Sequence, residues 1–162
     1  RGTELQRDVN ADPQLLALAE SVRARGATAM GLAARAEAAA ARPHTPKLAF
    51  VAPPAAYGAA DGRTVRAEDI DLLARIFSMG PLHHAMTGTG AVAIAAAAAV
   101  PGTLVHRRCG ATAAGRIRFG HPSGVMSVGA EAVARDGRWV VSKVAMSRSA
   151  RRLMEGWVRV PA

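Results

Sequence analysis

The chain has 162 residues, a net charge of +9, 50% hydrophobic residues and one cysteine. Its length suits one domain with a real core, or a small domain plus an appendage. The single cysteine, Cys109, excludes an internal disulfide framework and a multi-cysteine zinc site, and the longest apolar run, residues 91–100, is too short for the roughly 20 residues of a membrane span. We therefore expect a soluble protein in a reducing cytoplasm.

The start of the chain indicates that it belongs to something longer. It begins with Arg1 instead of Met, and no charged-then-apolar signal segment follows. We therefore expect a fragment of a longer polypeptide.

Positive charge is concentrated in the second half. Residues 1–80 hold ten Lys and Arg against nine Asp and Glu, whereas residues 81–162 hold eleven against three. Nineteen of the 21 basic residues are Arg, whose forked guanidinium suits carboxylate and phosphate. Either the second half faces an anion, or the arginines reflect a GC-rich genome.

The first predicted element is a helix over about residues 13–32. Asp12 is a suitable N-cap, Pro13 suits the first helical position, and apolar residues follow at helical spacing. Residues 33–46 are Ala-rich and end in two prolines, which indicates a frayed helix end and a linker. We assign residues 1–46 to an inter-domain linker and 47–162 to a domain.

Short strands and one apolar helix follow. Residues 47–54 predict a strand that ends at two prolines, 57–63 a loop, and 70–79 a buried strand. The apolar run at 91–100 predicts a helix that ends at Pro101 and Gly102. Further strands are predicted from alternating patterns between turn residues, at 103–108, 115–120, 124–134, 138–147 and 155–160.

The helix at 91–100 has no polar side to present to water. A helix that is apolar all round has to be enclosed, and its small side chains allow a sheet to curl closely around it. The pattern therefore predicts an α+β fold in which a curved sheet is wrapped around this helix.

The segment before that helix is a candidate anion site. A helix N-terminus has unpaired N–H groups and a partial positive charge. Gly88 and Gly90 would let a ligand approach the backbone, while Thr87 and Thr89 add hydroxyls. Either threonine could also be the N-cap of the helix. The alternative to a ligand site is that Thr89 merely caps the helix and the glycines form a tight turn. The segment matches neither a P-loop nor a dinucleotide fingerprint.

Other polar residues could serve the same site. His83 could hydrogen-bond a carboxylate or shuttle a proton, unless it is an ordinary loop residue. The segment 121–124 offers another imidazole and hydroxyl, or is a plain turn. One of the arginines near residue 150 could clamp a carboxylate. The three histidines at 83, 84 and 121 with Cys109 have no recognised metal-ligand spacing.

Three long segments carry a family resemblance: "DIDLLARIFSMGPLHHAMTGTGAVAIAAAAAVPGT", "FGHPSG" and "SRSARRLMEGWVRVP". Together they resemble the second half of the PrpF family, whose members isomerise small unsaturated polycarboxylates such as 2-methylaconitate, 4-oxalomesaconate and methylitaconate. Residues 2–33 resemble the segment that joins the two domains of that family. Nearly the whole chain is covered by the resemblance.

The resemblance implies the diaminopimelate epimerase-like fold. Each of its two domains is a curved, mostly antiparallel sheet rolled around a central helix, with the substrate in the cleft between them. In this chain it implies a carboxylate cradle at Thr87, Gly88, Thr89 and Gly90. The adjoining cleft would be lined by Ser78, Met79, Gly80, His83, His121, Ser123 and Gly124, with Arg148 and Arg151 nearby.

The resemblance also implies where the chemistry lies. The epimerases have an acid/base cysteine where this chain has Thr87, whose hydroxyl is too weakly acidic or basic to replace it. The family's acid/base lysine and cysteine lie in a first domain, and Cys109 matches neither. We therefore expect this chain to be the substrate-binding half of an isomerase or tautomerase, inactive by itself, without metal, nucleotide or pyridoxal phosphate.

The implied partners are a small polycarboxylate and an N-terminal domain of the same protein, with which the last strand would pair. No nucleic acid or membrane is implied, and a homodimer is left open. Two alternatives remain: a non-catalytic polyanion- or carboxylate-binding module, and an amino-acid epimerase or racemase of the same fold. Only 4% of residues are aromatic, which disfavours nucleic acid because few bases could stack. The absence of a cysteine at position 87 disfavours an epimerase.

Overall fold

The computed structural model describes residues 1–109 and 115–161. Its α-helices are α1 (Gln6–Asn10), α2 (Pro13–Ala29), α3 (Ala36–Ala39), α4 (Gly88–Ala99) and α5 (Leu104–Cys109), with a 3-10 turn at Ala67–Asp69. Its strands are β1 (Leu48–Ala52), β2 (Tyr57–Gly58), β3 (Thr64–Val65), β4 (Leu72–Phe77), β5 (Arg116–His121), β6 (Gly124–Arg135) and β7 (Arg138–Met146). None of the helices in these residues is long and apolar enough to cross a membrane.

The main sheet has five strands in the order β1-β4-β5-β6-β7. Only β4 and β5 pair in parallel, and the other neighbours are antiparallel. The short strands β2 and β3 form a separate antiparallel pair. The prediction of an α+β fold with a mostly antiparallel sheet is confirmed.

Strand β4 is buried along its whole length because both of its faces are covered. Leu72, Ala74 and Ile76 share the largest core cluster with α4. On the opposite face, Leu73 packs with Tyr57 and its neighbours, while Phe77 packs with residues of α1 and α2. A strand buried on both faces explains why residues 70–79 show no clean alternation.

Helix α4 packs against the concave face of the sheet through Gly90, Ala91, Ile94, Ala95 and Ala98. These positions repeat every three or four residues and therefore lie on one side of the helix. Thr89 and Ala93 are exposed, so the described residues do not enclose the helix on every side. The predicted wrapping of the sheet around α4 is confirmed for this side of the helix, and α5 adds Val105 and Cys109 to the same core.

The strand predicted at 103–108 is wrong, because this segment forms α5. The hydroxyl of Thr103 accepts a hydrogen bond from the His106 amide (3.1 Å), and its carbonyl accepts one from Arg107 (3.1 Å). This capping starts a helix directly after the Pro101-Gly102 turn. Val105 and Cys109, four residues apart, then pack on the core around α4.

Smaller differences concern the ends of the chain. The predicted helix at 13–32 ends at Ala29, followed by Gly31 with a positive φ. Segment 155–160, predicted as a strand, is exposed and pairs with no described strand. The predicted loop at 57–63 begins with β2, and α3 lies inside the predicted linker. The division at residue 46 and the pairing of the last segment with another domain stay predictions.

Candidate functional site

The topology of the sheet brings the predicted site segments to one edge. Strand β5 ends beside the first half of β4, because Leu73 pairs with Gly120. The loop after Phe77 folds back along β4, where the His83 amide donates to the Ile76 carbonyl (2.8 Å), and this brings His83 near His121. The tight turn between β5 and β6 lies at that edge as well, because His121 pairs with Gly124. The Ser123 hydroxyl joins the two loops by donating to the His84 carbonyl (2.6 Å).

The first turn of α4 contributes open amides. Thr87 is the N-cap, and its Oγ1 accepts a hydrogen bond from the Gly90 amide (3.2 Å). Of the two candidate caps, the structure therefore selects Thr87, and the helix begins at Gly88, three residues before the apolar run at 91–100. Gly88 and Thr89 follow the cap, where amides have no acceptor within the helix. Thr89 is exposed and Gly88 is half-buried, so a ligand can approach both.

Arg148 lies directly against this helix start. A Cβ atom on Gly88 would collide with its guanidinium Nη2, and the Met146 methyl lies 3.7 Å from the same position. Among the described residues Arg148 has no carboxylate partner, whereas Arg118 pairs with Asp71 and Arg152 with Glu155. A cation beside the positive end of a helix is electrostatically unfavourable unless an anion binds there.

Gly90 contributes to the packing of α4, whereas the sequence predicted that it would let a ligand approach the backbone. It is buried, and a Cβ atom there would collide with Cδ1 of Ile76 and lie 2.6 Å from the Thr87 Oγ1. The missing side chain thus allows α4 to approach β4 closely. A bulky residue at Gly90 would therefore disturb the packing of α4 on β4. At Gly88 the obstructing atom is the end of a flexible side chain.

His121 is buried at the end of β5. Its Nδ1 accepts a hydrogen bond from the Ser123 amide (3.2 Å), across the turn that Pro122 and Ser123 form. Burial, together with the positive charge of Arg75 and the nearby His83, lowers the pKa of His121 to about 4. The imidazole is therefore neutral at physiological pH.

His83 is held in a similar way on the neighbouring loop. Its amide donates to the Ile76 carbonyl (2.8 Å), and its Nδ1 accepts a hydrogen bond from the Ala85 amide (3.1 Å). Its ring stacks on that of His84, with 4.6 Å between the ring centroids. His83 is half-buried, whereas His84 is exposed.

Residues 78–80 form a tight turn after β4. The Ser78 amide donates to the Pro81 carbonyl (2.9 Å), and both Met79 (φ 62°) and Gly80 (φ 102°) have positive φ angles. Met79 and Gly80 are exposed and line a shallow depression with Glu20 and Arg23 of α2. No described contact joins this turn to the imidazoles or to the start of α4.

Arg151 is not linked to the edge by a hydrogen bond or ion pair among the described residues. It lies in the exposed segment after β7 and makes no hydrogen bond or ion pair with a described residue. Its assignment as a substrate-binding residue rests on the family resemblance alone and stays a prediction.

The sequence did not identify Arg75 and Tyr57, which support the turn from behind. Arg75 is fully buried, donates to the Gly120 carbonyl (3.1 Å), and lies 5.0 Å from the centroid of the Tyr57 ring. The Tyr57 hydroxyl lies 2.7 Å from both the His121 and the Gly124 carbonyl oxygens. A charged residue inside the apolar run 70–79 was the available signal, because buried charges need partners.

Cys109 lies away from the proposed cradle, in the core against α4. Burial, together with the negative charge of Asp71, raises the pKa of its thiol to about 11. Two arginines precede Cys109 in the sequence, but they do not activate its thiol because the cysteine is buried. Within residues 1–109 and 115–161, no three His, Cys, Asp or Glu side chains are grouped so that they could hold a metal ion.

Known proteins are similar to almost the entire chain. The model of the family described as PrpF protein matches residues 1–161. The chain belongs to the PrpF family. The family-level prediction made from the three sequence segments is therefore confirmed.

Individual relatives are considerably longer than this chain. It is 59% identical to a 2-methyl-aconitate isomerase of Shewanella oneidensis, over 99% of this chain and 40% of that protein. It is 38% identical to a 3-methylitaconate isomerase of Eubacterium barkeri, over 98% of this chain and 42% of that protein. The chain thus spans about two fifths of the length of these PrpF relatives.

A solved structure supports the fold. The crystal structure of a methylitaconate-delta-isomerase matches with a TM-score of 0.83 and 35% identity, covering 97% of this chain and 40% of that one. The PrpF chain described above therefore has the diaminopimelate epimerase-like fold that the resemblance implied.

Proposed function

We propose that this chain is the carboxylate-binding part of an isomerase that moves a proton within a small unsaturated polycarboxylate. The observation that carries the proposal is Arg148 beside the start of α4, without a carboxylate partner among the described residues. A substrate carboxylate would accept hydrogen bonds from the amides of Gly88 and Thr89 and pair with the guanidinium. The relatives named as isomerases of methylaconitate and methylitaconate support this substrate class.

The proposed reaction is an allylic proton shift. A base removes a proton from a carbon next to the double bond, and the electron pair spreads over the double bond and a carboxylate. An acid then protonates the other end of the allylic system, and the double bond moves. The donors at the sheet edge stabilise the negative charge that gathers on the carboxylate oxygens.

We assign the acid and the base to a part of the protein outside this chain. The candidate side chains at the edge are an arginine, imidazoles and hydroxyls, and among the described residues the edge holds no carboxylate or lysine suited to proton abstraction. The proposal includes no cofactor, because proton transfer beside a carboxylate requires only donors, an acid and a base. It also places the activity in the cytoplasm, in keeping with a single cysteine.

The test uses the protein at its natural length with 2-methylaconitate in heavy water, followed by proton NMR. The proposal predicts isomerisation with deuterium entering the substrate at the allylic carbons. Arg148→Met is expected to lower kcat/KM by about 10–100-fold, because a charge-assisted hydrogen bond is lost. The matched control is Arg152→Met, since Arg152 pairs with Glu155 (2.6 Å) on the exposed segment. If the wild-type protein showed no deuterium exchange and no isomerisation, the proposal would be overturned.

A further inference from the structure

The imidazole of His121 is held in one tautomer by the backbone. Its Nδ1 accepts the hydrogen bond of the Ser123 amide at 3.2 Å. A ring nitrogen that accepts a hydrogen bond carries no proton, so the proton of the neutral ring is on Nε2. The carbonyl oxygen of His121 already has a donor, because the Tyr57 hydroxyl lies 2.7 Å from it.

The Nε2 atom of His121 is available to a ligand. It has no hydrogen-bond partner among the described residues. In those residues Nη2 of Arg75 is the only side-chain nitrogen or oxygen that is both buried and without a partner, so Nε2 of His121 does not count as a buried atom. Nε2 is therefore not sealed from solvent, although the residue as a whole is only 6% exposed. The turn that carries it is tied to the loop before α4 through Ser123 and the His84 carbonyl (2.6 Å).

The charges around His121 oppose its protonation. Arg75 faces it from β4, His83 faces it from the loop after β4, and Tyr57 contacts its carbonyl from β2. The two groups whose charge acts on the ring are Arg75 and His83, and no carboxylate is among them. Burial and the positive charge of Arg75 therefore keep the ring neutral, and its pKa is about 4.

We infer that His121 is a neutral hydrogen-bond donor to the substrate carboxylate through Nε2–H, and that it does not take up a proton during the reaction. The inference rests on the proposed function and specifies how the site performs it. A neutral N–H donor strengthens its hydrogen bond as negative charge grows on the carboxylate oxygen. It needs no change of protonation state, so the proton transfer stays with the acid and base elsewhere.

His83 has the same arrangement and supports the inference independently. Its Nδ1 also accepts the amide of the residue two positions later, Ala85 (3.1 Å). Its neutral form therefore also presents Nε2–H as a donor. Two imidazoles on neighbouring loops, both with Nδ1 occupied by the backbone, make this edge a set of donors.

The first experiment is nitrogen-15 NMR of the histidine rings in the natural-length protein without substrate. Between pH 5.5 and 8 we expect Nδ1 of His121 to resonate as an unprotonated nitrogen and Nε2 as a protonated one, without titration. A proton on Nδ1, or titration of His121 near pH 6.5, would overturn the inference. This NMR measurement requires no turnover, so its result does not depend on whether methylaconitate is the substrate.

The second experiment compares two substitutions at the same position. His121→Ala is expected to lower kcat/KM about 100-fold, as loss of one positioned donor does elsewhere, whereas His121→Gln keeps an N–H donor and recovers activity to within about tenfold of wild type. The control is His44→Ala, in the exposed segment before β1, which is expected to leave activity unchanged. Equal losses in the Gln and Ala variants would overturn the donor assignment. An inactive wild-type protein with the predicted tautomer would overturn the proposed function instead.

Discussion

Gly88 and Gly90 lie two residues apart in the same helical turn but have different surroundings. A Cβ atom on Gly88 would meet the end of the Arg148 side chain, which is exposed and can move. A Cβ atom on Gly90 would meet Ile76, which is 2% exposed within the core. The first glycine therefore makes room for the site, and the second allows the helix to pack on the sheet.

Substitution of Gly90 by Ala is expected to lower the free energy of unfolding by about 1–3 kcal/mol, because the core is overpacked. In an Ile76→Val background about half of this cost should disappear, since Cδ1 is gone while the Thr87 contact remains. Urea denaturation of the four proteins in the cycle measures both quantities. Equal costs of Gly90→Ala in the two backgrounds would contradict the packing described.

Substitution of Gly88 by Ala is expected to change stability by less than about 0.5 kcal/mol, because only a flexible side chain has to move. The displaced guanidinium should lower kcat/KM by about tenfold or more, since a misplaced group binds the carboxylate poorly. Parallel denaturation and rate measurements check this pair of expectations. A destabilised but fully active variant would contradict it.

At the scale of elements, α4 depends on its cap and α5 on its orientation. The Thr87 hydroxyl satisfies the Gly90 amide and leaves the two amides before it open. α5 places Cys109 in the core, with its Sγ 3.0 Å from the Val105 carbonyl oxygen. The Thr87 cap and the burial of Cys109 therefore each give a test of one helix, α4 and α5 respectively.

Thr87→Ala is expected to lower the free energy of unfolding by about 1 kcal/mol, because the cap is lost. Thr87→Ser keeps the hydroxyl and is expected to retain most of that stability. Urea denaturation distinguishes the two. The same cost in both variants would show that the methyl group of Thr87, and not its hydroxyl, carries the stabilisation.

Cys109 is expected to react with iodoacetamide at pH 8 about 100-fold more slowly in the folded protein than in urea, since the thiolate is the reactive form. Its raised pKa, about 11, means that the thiolate fraction keeps increasing with pH up to that value. Mass spectrometry of alkylation between pH 7 and 10 measures the rate. Fast alkylation of the folded protein with a plateau near pH 9 would contradict the burial of α5.

At the scale of the whole molecule, the sheet edge unites residues far apart in the sequence. The loop after β4, the turn after β5 and Arg148 are separated by roughly 25 to 70 residues. The loop after β4 folds back beside the end of β5, where Ser123 donates to the His84 carbonyl (2.6 Å). The charge excess of residues 81–162 is partly neutralised within the chain, as Arg118 and Asp71 show. Arg148 retains its charge for a ligand.

Much of this arrangement was predictable from the sequence. The apolar helix, the buried strand β4 and the hairpin β6–β7 follow from their hydrophobic patterns, and the family segments predicted the fold. Segment 103–108 was mistaken for a strand because its alternation is short and the Thr103 cap decides the outcome. The helix start was placed too late because glycines at 88 and 90 have low helix propensity, which tertiary packing against Ile76 overrides.

The support behind the site could not be predicted in the same way. Arg75 and Tyr57 meet only because β2 and β4 are close in space, and neither belongs to a recognisable motif. The tautomer of His121 depends on one backbone amide two residues away, which requires the geometry of the turn. A sequence pattern shows that an arginine or a histidine is present, but it does not show which of its atoms form hydrogen bonds.

The location of the bound carboxylate is the central claim, and amide NMR of the natural-length protein during titration with 2-methylaconitate tests it most directly. The account predicts the largest saturable shifts at the amides of Gly88 and Thr89 and at the His121 and Arg148 side chains. Saturable binding whose shifts leave these groups unchanged and fall elsewhere, such as between α2 and β1, would contradict it.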